Sequence, residues 1–593
     1  MNLFIASWNA PEHERPLARA ALRGMEEVYP RLKAGTEWQA SSGAAWASGI
    51  HDQAPDCPKR RYTSRTEGKT VFFEGCPVDR TGRFWAFDAA DLAARWESLP
   101  EVLEGPYVIA RMGEDDARFE LITDFIGLCQ VYYRQVGNAW WISNSAGLIS
   151  STCGVTGLDP LGTSLALTVG WAGADRTLMR DIRVVPPGSI WKWRDGSANP
   201  VQDQHFRPRR LLQAGRKRRF LQPDALQLRD ELAALCRRLS EYSGSLSCPV
   251  TGGRDSRVLV SLMRHGGIRG RYFTEGVPGS GELEISSRIA QNIGIPHTIC
   301  LKNAQAISES WASVSGQLIR QNDGMVSLWQ AADIWEPSAT PEHLGLWGIG
   351  GEIARGNYSN PLLFIGSKTV TDIKRFLASR LIDDHGSLVR KETCEIARCY
   401  LGSWVDRMTD EGFAPVDMPD LFYLYERIRR WGGSNARKTL PVHEQFSPFC
   451  TRAFVEDAFR LPASYRYSEP LHYQLLHLDP VLHGFPFIKE PWRPQQPPIN
   501  MVSAIWRKRV KPALSLAATD TSPSIQSLLL KSRWTHFREL CLDRSSSPLW
   551  DYINRGRFEA LMNGSPDSRM HDQAGLPLFM IVTLFDYERM FLA

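Results

Sequence analysis

The sequence predicts two fold classes in one chain: an α+β, strand-rich first part and an α/β second part that ends in helices. Three observations carry this. Up to about residue 205, short apolar runs are separated by Gly, Asp and Asn. From Pro223, amphipathic helices alternate with short buried strands, which implies a parallel sheet with helices on its faces. After about residue 370 the pattern is helical nearly to the end.

In chain order, Leu3-Phe4-Ile5-Ala6, Thr70-Val71-Phe72-Phe73, Tyr107-Val108-Ile109-Ala110, Phe119-Glu120-Leu121-Ile122 and Trp140-Trp141-Ile142-Ser143 read as strands of packed antiparallel sheet with few helices. The texture then breaks at HFRPRRLLQAGRKRRFLQP, where Arg207, Arg209, Arg210, Arg216, Lys217, Arg218 and Arg219 crowd around a Pro and a Gly. Such a run can hold phosphates or a membrane surface, but a solvated linker over residues 206–222 is the plainer reading. It divides a domain at 1–205 from one at 223–593. In the second, LRDELAALCRRLSEY, RVLVSLMRHGG and ELEISSRIAQNIG read as helices, while SCPV and GRYFTEG read as strands. Further helices follow at TDIKRFLASRLIDD, PDLFYLYERIRRW and AFVEDAFRLP.

The composition is that of a globular protein. With 593 residues, 43% hydrophobic and 23% charged, the chain is neither collagen-like nor disordered, and it is long enough for several cores. A net charge of +5 is too small at this size to imply a nucleic-acid partner. No run approaches the ~18 to 20 apolar residues of a spanning helix, and MNLFIASWNAPEHERP has no basic start. The expectation is therefore a cytoplasmic protein with no membrane partner. Eleven cysteines lie between Cys57 and Cys541 without CxxC spacing, so they fit neither a disulfide framework nor a zinc site and read as small buried hydrophobes.

The most informative segment is SCPVTGGRDSRVLVSLM. A strand ends at Val250, a loop with two glycines follows, and a helix begins near Arg257. Gly252 and Gly253 let a phosphate approach the backbone, and the helix's first amides point at the negative charge. Thr251 and Ser256 add hydroxyl donors, and Asp255 supplies a hard oxygen for magnesium. The spacing is neither GxxxxGK[ST] nor GxGxxG, which excludes a Walker loop and a dinucleotide fingerprint. A purely structural strand-to-helix turn is the competing reading.

VTGGRDSR resembles the SGGxDS pyrophosphate loop of the ATP-pyrophosphatase synthetases, and its surroundings resemble the asparagine synthetase family. LGLWGIGGEIARGNY resembles that family's GxGxDExFxGY segment, with Gly348, Gly350 and Tyr358 in register and Glu352 where the family has its second magnesium-binding Asp. Ile353 stands where the family has a Glu. The segment around Ser447-Pro448-Phe449 resembles the part whose helices close over the site. The family's Lys-x-x-Leu-Arg pattern has no counterpart in HYQLLHLDPVLHGFP, which leaves Lys489, Lys508 and Lys511 nearby as substitutes for its catalytic Lys. Glu352 and Lys489 are the resulting catalytic candidates, and ATP and Mg2+ are the implied cofactors.

In the first half, ITDFIGLCQVYY resembles the family's TDxxGxxPLYY strands and RTLMRDIRVVPPGSIWKW its TLFxGIxxLPPGH segment, which implies a glutamine-amidotransferase sandwich of the N-terminal-nucleophile kind. That chemistry needs a thiol at residue 2, where this chain has Asn2, and Cys57 in its Pro- and Arg-rich loop cannot substitute. Glutamine hydrolysis is therefore expected to be absent.

Together the resemblances imply an AMP-forming carbon–nitrogen ligase whose amine comes with the substrate. Most similar are the lasso peptide macrolactam cyclases, whose partners are a precursor peptide, a leader-binding protein and a protease. An amidating enzyme using ammonia or a small amine, and a non-catalytic scaffold, are the alternatives. The 20 tryptophans suit a peptide channel, but a core and surface scatter explains them as well.

Overall fold

The computed structural model describes residues 2–52, 61–66, 68–113, 118–213, 215–333, 344–439, 444–487, 492, 524–564 and 568–592. It is a mixed α/β architecture with two antiparallel sheets and one parallel sheet. The first sheet runs β12 (Arg183–Val184), β10 (Tyr132–Val136), β11 (Ala139–Ser143), β1 (Asn2–Trp8), β3 (Ala45–Asp52), β2 (Leu32–Gln39). The second runs β14 (Val201–Gln204), β13 (Ser189–Trp193), β9 (Arg118–Thr123), β8 (Tyr107–Gly113), β5 (Lys69–Gly75), β4 (Thr63–Thr66). A short pair, β6 (Val78–Asp79) with β7 (Leu103–Glu104), lies apart from both.

The period of two explains the sandwich. Along β1, Phe4, Ala6 and Trp8 face the second sheet and meet Phe72, Val108, Ala110 and Met112, while Leu3 and Ile5 face away. Trp140, Trp191 and Trp193 fill the gap between the sheets edge to face, with ring centroids 5.7–6.0 Å apart. This part of the tryptophan complement is core. On the outer side of the first sheet, Leu3, Ile5, Trp46 and Trp141 share one cluster with the helices Ala146–Cys153, Ile525–Leu542 and Ser568–Phe591. The last helices of the chain thus complete the core begun by its first strand.

The parallel sheet has the order β17 (His297–Leu301), β16 (Gly270–Gly276), β15 (Leu246–Pro249), β18 (Leu344–Leu346), β19 (Glu444–Phe446). The chain steps outward from β15 through β16 to β17, then returns to lay β18 and β19 on the other side. The order reverses between β15 and β18, and the crevice beyond their carboxyl ends is where open α/β sheets take ligands.

Two expectations change. PDLFYLYERIRRW is not one α-helix: after Met418–Phe422 the chain widens into a π-helix over Tyr423–Gly432. Gln130 explains it, because its Nε2 donates to the carbonyls of Arg429 at 2.8 Å and Arg430 at 3.0 Å, a side chain inserted into the helix ladder. The basic segment at 206–222 is also more than a solvated tether. Arg207, Arg209, Arg218 and Arg219 are exposed, but Phe206, Leu211 and Phe220 are buried in the main core, and Arg216 and Lys217 pair with Asp417 and Asp224.

Six of the ten described cysteines are buried, all ten are free thiols, and Cys399 is exposed, against the expectation for it. Cys57 lies outside the described residues. Among the described residues no helix is long and apolar enough to cross a membrane.

Candidate functional site

The loop after β15 turns its backbone amides toward side-chain oxygens of the chain itself. Val250 continues the ladder by donating its N–H to the Phe273 carbonyl at 2.8 Å. The chain then turns, and Gly253 starts the helix Arg254–His265 with no side chain capping its first amides. Gly253 has φ −82°, open to any residue, so glycine here provides room above the loop rather than an unusual dihedral. Its N–H donates to Thr251 Oγ1 at 3.0 Å, and Thr251 and Ser256 share a 2.5 Å hydroxyl bond. The Gly252 N–H donates to a carboxylate, Glu282 Oε1, at 2.6 Å. An internal oxyanion thus already occupies a loop amide at the positive end of the helix.

Arg257, wholly buried, anchors this loop from beneath. It donates to the carbonyls of Gly252 at 3.2 Å, Phe485 at 2.7 Å and Pro486 at 2.6 Å, and its guanidinium lies 4.3 Å from the Phe487 ring centroid. Burial, helped by neighbouring Arg254, pushes its pKa down to about 10.

The loop after β18 meets the first one at Asp255. Gly348 and Gly351 run against this carboxylate so closely that a Cβ on Gly351 would collide with Asp255 Oδ1. Gly350 has φ +95°, and a Cβ there would lie 2.8 Å from Cys450 Sγ. These glycines therefore let two loops and the 447–450 turn converge. Ser447 Oγ donates to the Ile349 carbonyl at 2.5 Å, which ties the Ser447-Pro448-Phe449 turn to the loop after β18.

Asp255 and Glu352 come together around a guanidinium. Arg355 Nη2 is 2.7 Å from Asp255 Oδ2 and 3.5 Å from Glu352 Oε1. The other oxygen, Asp255 Oδ1, bonds Nε2 of the fully buried His472 at 2.7 Å. Burial opposes ionisation of Asp255, but Arg355, His472 and Arg254 outweigh it and hold the carboxyl below its usual range. Glu352 goes the other way: burial and then the Asp255 charge raise it, with Arg355 and Tyr423 in partial opposition. Arg355 itself loses solvent, yet Asp255, Glu352 and Glu469 raise its pKa further. Arg254 beside them pairs with buried Glu469 at 2.5 Å.

Magnesium does not fit these carboxylates as they are placed. Both Asp255 oxygens have donors, and the guanidinium lies between the two acids where a shared ion would need room for ligands at ~2.0–2.1 Å. No cluster of three or more His, Cys, Asp or Glu side chains among the described residues could hold a metal ion. The expected pairing of Asp255 with Glu352 is present, but as an ion-paired cluster.

Three partners were not among the sequence candidates. His472 opens the HYQLLHLDPVLHGFP stretch in which a Lys was sought, and Glu282 carried no motif. Arg355 had a signal, since it stands where the resembled GxGxDExFxGY pattern has Phe. Ile353 is wholly buried in the core, so its position supplies packing and no polar group. Lys489, with Lys508 and Lys511, lies outside the described residues.

The other end of the molecule bears on residue 2. Asn2 is buried in β1; its N–H donates to Glu74, its Nδ2 to the Phe73 carbonyl at 3.1 Å, and Asn144 Nδ2 donates to its carbonyl at 2.8 Å. A cavity of about 60 Å³ beside it is lined by Glu74, Cys129, Asn144, Trp347, Arg437 and Glu444 among others. Burial raises the Cys129 thiol well above its ordinary range, so it is not an activated nucleophile.

No family model matches the chain, and no curated protein matches it. Among solved structures it is similar in part to an allosteric regulatory enzyme of purine biosynthesis, at 11% identity and TM-score 0.25, over 51% of this chain and 66% of that one. It is similar in part also to glutamine phosphoribosylpyrophosphate amidotransferase from B. subtilis complexed with ADP and GMP, at 13% identity and TM-score 0.24, over 60% of this chain and 77% of that one. Likenesses this partial carry nothing about the site.

Proposed function

We propose that the protein is an ATP-dependent carbon–nitrogen ligase that works without glutamine hydrolysis. One observation carries the reading: a loop amide at an uncapped helix end, at the reversal point of a parallel sheet, holds a carboxylate where a phosphate oxygen would sit. In the reaction, a substrate carboxylate oxygen attacks the α-phosphorus of ATP and the bond to pyrophosphate breaks. The amides near Gly252 and Gly253 stabilise the leaving pyrophosphate, and the Thr251 and Ser256 hydroxyls turn from each other toward it. An amine nitrogen then attacks the acyl carbon, AMP departs, and a base takes the amine's proton.

Asn2, with Glu74 at its N–H, offers neither thiol nor oxyanion donor, so glutamine is not the amine source at this end. With the resemblance to lasso peptide cyclases, this favours macrolactam closure of a precursor peptide, delivered by a leader-binding protein after protease cleavage. The test incubates the protein with ATP, magnesium and the leaderless peptide encoded nearest its gene. AMP together with a peptide lighter by one water supports the proposal; ATP binding without AMP sinks the cyclase reading for that peptide.

A further inference from the structure

Arg355 sits in the position that defines the cluster. It reaches both Asp255 and Glu352, at 2.7 and 3.5 Å, from a short helical turn over Gly351–Arg355 that begins at the obligatory Gly350. Asp255 is held in turn by His472 and closely approached by Gly351, Ile353 locks the turn into the core, and Glu469, already paired with Arg254, adds a third negative charge nearby. A guanidinium is planar, permanently charged and carries five donors, so it can bond two carboxylates and still direct N–H groups at a phosphate. Two acids that converge on a crevice without a cation would repel the phosphates the neighbouring loop is shaped to take. Here the chain supplies that cation covalently.

We infer that Arg355 replaces a divalent metal in this centre, so that the site binds the polyphosphate of a nucleotide without a magnesium ion held by Asp255 and Glu352. The inference rests on the nucleotide reading given above, and two independent measurements separate them.

The first is a titration of the wild-type protein alone with Mn2+, followed by electron paramagnetic resonance. The expected result is no site that Asp255→Asn abolishes, and one new site per chain in Arg355→Met, where the two acids are freed. A Mn2+ site in the wild type that Asp255→Asn removes overturns the inference, whatever the nucleotide does, and needs no arginine variant to fold. The second is calorimetric binding of α,β-methylene-ATP in EDTA and in magnesium. Wild-type affinity should agree within about twofold between the buffers, while Arg355→Met should weaken roughly tenfold or more in EDTA and recover with magnesium. Arg355→Lys, which keeps the charge, should stay metal-independent. Wild-type binding that vanishes in EDTA and returns with magnesium overturns the role of Arg355 and leaves the nucleotide reading standing. Absence of binding in both buffers removes the nucleotide reading, and the Mn2+ titration then decides the inference.

Discussion

The start of β1 and the end of β15 treat polar groups in opposite ways. Around Asn2 the N–H, Nδ2 and carbonyl are each used by neighbouring groups and only Oδ1 is left over, while Glu74 faces the N–H with lone pairs where an oxyanion would need donors. Around Asp255 the groups exceed their internal partners. Glu352 Oε2 is buried without a hydrogen bond, the Thr251 and Ser256 hydroxyls hold each other, and a loop amide holds the half-buried Glu282 carboxylate. A polar site whose capacity is consumed internally stabilises a fold; one with charge and donors to spare is shaped for a ligand.

The sharpest break in that comparison is Asp255→Ala. It strips Arg355 of its best partner and frees His472, so AMP formation should fall by about 10²–10³-fold. Stability should drop by about 3 kcal/mol, the low end for breaking a buried pair, because both side chains keep near a fifth of their surface, at 20% and 17%. Urea unfolding and an AMP assay read the two effects. An unchanged AMP yield would move the chemistry away from this crevice.

Glu282→Gln acts in the opposite direction and more gently. The internal carboxylate competes with phosphate for the Gly252 amide, and the neutral amide competes less well. Pyrophosphate affinity should rise by about three- to tenfold, measured by calorimetry. A fall would show that Glu282 positions the loop rather than blocks it.

How much of this was legible in the sequence follows from the distance between partners. The loop could be read because strand, glycines, Asp255 and helix are contiguous, and the sandwich strands because apolar residues face both ways along them. His472 could not, since its bond to Asp255 spans 217 positions, and the π-helix depends on Gln130, some 300 positions earlier. Gly350 reads as a motif glycine and Gly351 carries no reading at all, and the need for both comes from Cys450 and Asp255, which only the folded chain brings near. Local pattern reports local geometry; charge clusters assembled from four segments leave no periodic trace.

The two regions should also titrate in opposite senses. In the sandwich half, His205 Nε2 donates to the Thr123 carbonyl at 2.9 Å, and burial pushes its pKa from 6.5 down to about 4. Between those values the unfolded chain binds more protons, so stability falls as pH drops from 6.5 toward 4. Glu352 is raised above 4.5 by burial and then by Asp255, so there the folded chain binds more protons and stability falls as pH rises through the raised pKa. Chemical denaturation across pH should show His205→Gln flattening the acid side and Glu352→Gln the other. A single variant flattening both would mean the regions unfold as one titrating unit.

The smallest effect sharpens the comparison most. Asn2→Cys places the missing thiol at the start of β1, yet it should give no glutamate from glutamine, because the group opposite is still the Glu74 carboxylate, an acceptor that repels a developing oxyanion. Nucleotide binding at the distant loop should be unchanged. Adding Glu74→Asn supplies a donor in place of the acceptor, so glutamate release from the double variant alone would show that this end lacks only the two groups. Release from Asn2→Cys by itself would show that the carboxylate is not what silences it.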